Sequence, residues 1–145
     1  MGIFKAKGAP APWCSLVWKD LSPQRDKFLV WLVVKNFITT CDKVASWGGS
    51  GLFSCLFCPC SLETRDHLFG GCVVYKELYA GLLAKAFPRT PSDDWNIELQ
   101  WASNDLKGKQ LRNQAAKAIW RAMISTIWRE RYSLKMEDPR RASRR

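Results

Sequence analysis

Residues 55–72 read CLFCPCSLETRDHLFGGC, and this stretch decides the fold. It holds four of the six cysteines and the only histidine of the 145-residue chain. Taken as ligands, the pattern is Cys55-x2-Cys58-x8-His67-x4-Cys72. A Cys-x2-Cys turn points two thiolates at one ion, and a second, more distant pair completes the tetrahedron. Thr64 is placed to cap a helical turn that carries His67, with Cys72 just over a turn later. Three thiolates and one imidazole are soft to borderline donors, which suit Zn2+ and not Mg2+ or Ca2+. Four protein ligands leave no open position, so the spacing predicts one structural, non-catalytic Zn2+. Structural zinc contributes about 10–16 kcal/mol of binding free energy, which is large beside the net stability of a small core.

Cys60 follows Cys58 by two residues, with Pro59 stiffening the turn between them. It is read as a non-ligand; the alternative is that it replaces Cys58. Two other readings compete with the metal. The cysteines could be ordinary buried thiols around a hydrogen-bonded core histidine next to Leu68-Phe69. Scattered residues would favour that reading, but one His and four Cys within eighteen positions favour zinc. A Cys–His nucleophilic pair is the other, and nothing supplies its orienting group or oxyanion hole.

Around this stretch the composition sets limits. Hydrophobic residues make up 47% of the chain and eight are Trp, enough for a real core, which excludes wholesale disorder. A single His excludes mechanisms needing two imidazoles, such as a two-His zinc protease site. With 23 Lys and Arg against 13 Asp and Glu, the net charge is +10, which favours a polyanionic partner. The most apolar run, Phe28 to Val34, is far shorter than the ~20 residues of a membrane span. The opening MGIFKA lacks a secretory apolar region, and Ala6 stands where a myristoylation start has Ser or Thr. The expectation is a soluble intracellular protein with reduced thiols, no membrane partner and no small-molecule substrate.

Residues 1–12, rich in Gly, Ala and Pro, read as a flexible leader, 13–136 as the folded domain and 137–145 as a disordered basic tail. Within the domain, Trp13, Leu16 and Val17 recur at helical spacing until Pro23 interrupts. Asp26 to Lys35 reads as a helix buried on most of its circumference by Phe28, Leu29, Trp31, Leu32 and Val33; Val30 to Val34 is β-prone and allows a strand, and length favours the helix. Thr40 is the expected N-cap of a short helix with Val44 and Trp47, ended by Gly48-Gly49. A helix is expected from about Cys72 to Phe87, with Val73, Leu78, Leu82, Leu83 and Ala86 inward and Pro88 and Pro91 closing it. Ser92 is the expected cap of a segment with Trp95, Leu99 and Trp101. The longest helix runs from Lys109 to about Met136, with Leu111, Ala115, Ala118, Ile119, Met123, Ile127 and Leu134 as its apolar stripe. The fold class is therefore all-α: a small, irregular helical domain organised around one structural zinc site, with a long C-terminal helix.

Several of these pieces together resemble the zinc-binding region that follows the polymerase in plant LINE-type (non-LTR) retrotransposon reverse transcriptases. They are Val17-Trp18-Lys19, Pro23, Phe28 to Leu32, Thr39-Thr40-x-Asp42-x-Val44-x-x-Trp47-Gly48 and the finger itself. The most specific segment is Glu63-Thr64-x-x-His67-Leu68-Phe69-x-x-Cys72, and Ile127 to Arg131 is similar to the stretch that usually ends the region. Tyr132 departs from an expected Asn. Gly70 stands where a second apolar residue is usual, a change expected to loosen the turn between His67 and Cys72. The chain carries no polymerase palm, no paired-aspartate motif and no endonuclease, so the resemblance implies a non-enzymatic C-terminal piece of an element.

The resemblance implies help in holding an RNA template or target DNA, in the nucleus more than the cytoplasm. Basic residues on the last helix, Arg112, Lys117, Arg121, Arg129 and Arg131, are the candidate phosphate contacts, with Arg140 and Arg141 in the tail. From Arg129 to Arg145 there are seven Arg or Lys against three acids. Trp120 and Trp128 are interleaved with these charges and are read first as core. The rival reading is a zinc-stapled protein-interaction domain that docks on a reverse transcriptase core, and a non-functional remnant of an element is a third.

Overall fold

Proline at position 23 lacks the N–H that a helix interior needs, so the chain must restart there. It does. In a computed structural model that describes residues 13–18, 23–49, 53–59 and 61–137, helix α1 spans Trp13–Trp18 and α2 spans Gln24–Val34, with Pro23 immediately before it. Helix α3 (Cys41–Ser46) follows a short loop, and Gly48 ends it at φ +85°, the left-handed conformation that glycine adopts without strain. Then come a five-residue π-helical turn at His67–Gly71, α4 (Val73–Leu82), α5 (Trp95–Asp105) and the 27-residue α6 (Leu111–Glu137). The described residues form an all-α domain with no strand; Ser54 and Leu62 make one isolated antiparallel bridge. No helix among them is long and apolar enough to cross a membrane.

Helix α6 is the spine. It packs against α2, α4 and the His67 turn, while α1 lies on α5 and α2. Its buried face is Ala116, Trp120, Met123, Ile124 and Ile127. The expected stripe was rotated: Met123 and Ile127 are inside, whereas Leu111 is 83% exposed. Helix α4 is rotated too. It turns Tyr75 and Tyr79 inward and leaves Val73 and Leu82 half exposed, and the Tyr79 hydroxyl donates to the Phe87 carbonyl at 2.6 Å. Tyr79 fits inside because its hydroxyl finds an acceptor there. Asp94, not Ser92, caps α5 by accepting from the Asn96 N–H at 3.0 Å, and Ser92 instead accepts from the Asp94 N–H. Thr40 precedes α3 as expected, but its hydroxyl donates to the Asp42 carboxylate and caps no backbone N–H of the helix. Helix α2 buries Lys27, Val30 and Val33 only; Phe28 is outside.

Glu63 and Arg131 form the most buried ion pair among the described residues, at 0% and 3% side-chain exposure. The guanidinium grips both carboxylate oxygens, Nη2 to Oε1 at 2.6 Å and Nε to Oε2 at 2.9 Å. The Cys41 backbone N–H donates to Oε1 at 2.9 Å, and Arg131 also reaches the Thr39 carbonyl. One residue of the cysteine loop thereby joins α3 to α6. Burial alone would push the Glu63 carboxyl up, but the hydrogen bonds and charge of Arg131 outweigh it and hold the group below its ordinary value.

Arg131→Ala would leave a buried carboxylate unpaired and should cost about 3–5 kcal/mol in chemical denaturation, with Arg131→Met plus Glu63→Leu recovering much of it. A folded-state pKa below the unfolded ~4.3 means that the pair stabilises fully above that value. Thermal melts should therefore lose stability as pH falls below about 4, and the double variant should lose less.

Candidate metal centre

Two short pieces of backbone bring the four donors together. On one side, the Glu63 N–H donates to the Phe53 carbonyl at 2.9 Å and the Cys55 N–H to the Ser61 carbonyl at 2.8 Å, so the loop between them doubles back on itself. The backbone N–H groups of Phe57 and Cys58 face the Cys55 sulfur, the arrangement a tight Cys-x2-Cys turn gives. On the other side, the Thr64 hydroxyl accepts from the His67 N–H at 3.0 Å, the capping role its sequence position suggested. The Cys72 N–H then bonds back to the His67 carbonyl at 2.7 Å, an i to i+5 closure. That wider turn is what lets residues five apart aim at one point, where an α-helical turn would separate them.

The Cys58 and Cys72 sulfurs are 3.6 Å apart, those of Cys55 and Cys72 3.9 Å, and His67 Nε2 lies 3.1 Å from the Cys58 sulfur. All four ligand atoms fall within 4.8 Å of one another. A tetrahedron with ~2.3 Å Zn–S bonds has edges of about 3.8 Å, so the sulfur spacings fit one zinc ion. Cys55 and Cys72 are buried, and Cys58 and His67 are partly so. Burial holds the His67 imidazole below its usual pKa, which keeps it neutral and able to donate a lone pair. The hydrogen bond from Cys55 holds the Cys72 thiol down, helped by the Val74 N–H, and the same bond with burial pushes Cys55 up. The donor set, its geometry and its neutral imidazole all suit one structural Zn2+. Cys60 lies outside the described residues.

Three residues of the segment between the ligand pairs, Glu63, Arg65 and Asp66, each tie the centre to a different element. Glu63 holds Arg131 of α6. Arg65 donates to the Val33 and Val34 carbonyls, the open C-terminal end of α2, at 3.3 and 3.2 Å. Asp66 accepts from the Trp95 N–H at the start of α5 at 3.0 Å. Phe69 meets Trp95 edge to face at 6.3 Å, and Trp95 stacks on Trp120 of α6 at 6.2 Å. Gly70 was expected to loosen the turn; the structure corrects this. It is buried, and a Cβ there would stand 2.1 Å from the Ser92 carbonyl oxygen, so glycine is what lets the α4–α5 loop close over the centre.

The candidate phosphate contacts fare differently. Lys117, Arg121 and Arg131 are 5%, 0% and 3% exposed, and none presents its charge to solvent. The physical reason is that α6 is packed on more than one side, so positions expected on a solvated face point into neighbouring elements. Arg121 donates to the Leu16 carbonyl, and Arg131 serves Glu63 while lying over the half-buried Trp128. Arg112 and Arg129 are exposed: Arg112 donates to the Ala86 carbonyl at 2.9 Å, and Arg129 lies 3.4 Å from Asp26. Arg140 and Arg141 lie outside the described residues. The linking roles of Glu63, Arg65, Asp66 and Gly70 were missed from sequence, because no local pattern identifies an Arg 68 residues away as a partner.

A family model described as zinc-binding in reverse transcriptase matches residues 2–79, more than half of the chain, and the match takes in all four donors. No curated protein and no solved structure matches significantly.

Cys58→Ser and His67→Ala should each abolish stoichiometric zinc in metal analysis and lower helicity, because site formation and folding are coupled. Gly70→Ala should destabilise the fold by about 1–3 kcal/mol through overpacking. It should still bind Co2+ with thiolate charge-transfer bands, since it leaves the donors intact.

Proposed function

The chain belongs to the family of zinc-binding regions in reverse transcriptases, and on that premise we propose that it is a non-catalytic module in which zinc fixes the fold and exposed cations bind RNA or DNA. The observation that carries the proposal is the closed set of four donors, Cys55, Cys58, His67 and Cys72, in a chain of net charge +10. Four protein ligands use up the coordination of the ion, so zinc would supply cross-linking and no chemistry. What remains for function is the surface, and its charge suits phosphate.

Arg112 and Arg129 are the exposed basic residues of α6 that the proposal uses, and Arg140 and Arg141 extend the positive charge along the sequence. Arg112 sits against the end of the 83–87 segment, near exposed Lys85, Lys107 and Lys109, so these cations share one end of the helical stack. A partner of this kind places the module where template or target nucleic acid is held, in the nucleus, and an origin in a plant LINE-type element is part of the same reading. The second reading, docking on a reverse transcriptase core, draws on exposed Phe28, Phe37 and Trp47.

Salt separates the two. Fluorescence anisotropy with labelled RNA and DNA should show affinity falling steeply as salt rises, with a log–log slope that shrinks by about one in Arg112→Ala. Binding that ignores salt would favour the docking reading and sink this one.

A further inference from the structure

The outer face of α2 carries a feature that the zinc centre and the α6 cations leave unused. Arg25, Phe28, Trp31 and Lys35 recur at spacings of three to four residues, so they share one side of the helix, opposite the buried Val30 and Val33. Phe28 and Trp31 stack with ring centroids 5.9 Å apart. The chain then leaves the helix through Asn36 at φ +59°, and Phe37 turns back onto Trp31, edge to face at 5.6 Å. Phe28 and Phe37 are 54% and 59% exposed. Large aromatic side chains are usually buried, so three in contact at the surface form a feature that needs a partner.

The loop that presents Phe37 is fixed. Its backbone N–H bonds the Leu32 carbonyl at 2.8 Å, and Lys43 Nζ holds the carbonyls of Asn36 and Ile38 on either side. Trp31 is half-buried and packs against the core, which fixes the middle ring. On the outer face of α2 the charges that flank the rings are both positive. Arg25 and Lys35 are exposed at the two ends, with no ion pair to either among the described residues. The one acid of α2, Asp26, is turned toward α6, where it accepts from the Ser125 hydroxyl at 2.8 Å and pairs with Arg129.

We propose that Phe28, Trp31 and Phe37 form a stacking platform for the unpaired bases of a single strand, with Arg25 and Lys35 receiving the phosphates on either side. This rests on the nucleic-acid reading above and adds to it the strand type and the surface. A duplex hides its base faces and meets the protein only through phosphates, whereas an unpaired base offers a ring face that an exposed aromatic can cover. A purely apolar protein partner would gain nothing from the flanking cations, so the charge pattern favours the strand.

The test compares a fluorescein-labelled oligo(dT) with a duplex of the same length at one salt concentration. Wild type, Phe28→Leu, Phe37→Ala and the pair Arg25→Gln, Lys35→Gln are titrated, with zinc content and helicity confirmed for each. Phe28→Leu keeps an apolar side chain and so preserves folding while removing the ring. Each aromatic variant should weaken oligo(dT) binding by about tenfold and leave duplex binding unchanged. The double Gln variant should reduce the salt slope on oligo(dT) by about 1.4, since each phosphate contact on a single strand contributes about 0.7. Unchanged oligo(dT) affinity in both aromatic variants, with wild-type binding intact, overturns the platform and spares the nucleic-acid reading. Wild type that binds neither probe overturns both. Loss of self-association in the aromatic variants, with oligo(dT) affinity unaltered, shows that the face is a protein interface and also overturns the proposal.

Discussion

A buried carboxylate must have a partner, and the whole arrangement turns on how Glu63 finds one. It sits between the two pairs of metal ligands, and its partner Arg131 lies on the far part of α6. Because an uncompensated buried charge costs several kcal/mol, the cysteine loop and the C-terminal helix cannot separate without breaking the pair. The same short segment sends Arg65 to the end of α2 and Asp66 to the start of α5. Zinc therefore does more than close a loop. By fixing residues on both sides of Glu63, it fixes the origin from which three other helices are placed.

This arrangement explains how a domain with irregular connections holds a unique shape. The π-helical turn at His67–Gly71 is a rare way to run a chain, and short helices such as α1 and α3 are marginal alone. Their stability comes from the anchors at their ends and from the aromatic line Phe69–Trp95–Trp120 that runs from the metal turn into α6. Metal, ion pair and aromatic packing meet within a few residues of one another, so loss of any one is felt by the others.

Charge in this molecule has two separate uses. Lys117, Arg121 and Arg131 lie inside, where Arg121 and Arg131 bind carbonyls and a carboxylate, and Arg112, Arg129, Arg25 and Lys35 lie outside, where phosphate could reach them. A net charge of +10 counts both sets alike. Only the outer set can contribute to salt-dependent binding, because buried side chains are out of reach of a phosphate. The aromatics follow the same division: Trp120, interleaved with the basic run of α6, is core, while Phe28 and Phe37 on helix α2 and its loop are outside.

The helix expected to run to Phe87 ends at Leu82, but the metal centre, the all-α class and the breaks at Pro23 and Gly48 were legible in the sequence. Those features are local: ligand spacing, a Thr cap, Pro23 and Gly48 act within a few residues of where they stand. The sequence did not determine which way α4 and α6 face, since Tyr79, Arg121 and Arg131 turn inward onto particular acceptors. Phe87, Leu16 and Glu63 supply those acceptors from distant parts of the chain. Nor could it show that Gly70 is the floor on which the Ser92 carbonyl rests, or that Phe28, Trp31 and Phe37 share one surface. Those facts belong to the tertiary structure, because they depend on which backbone comes to lie against which side chain once the metal and the buried ion pair have set the helices in place.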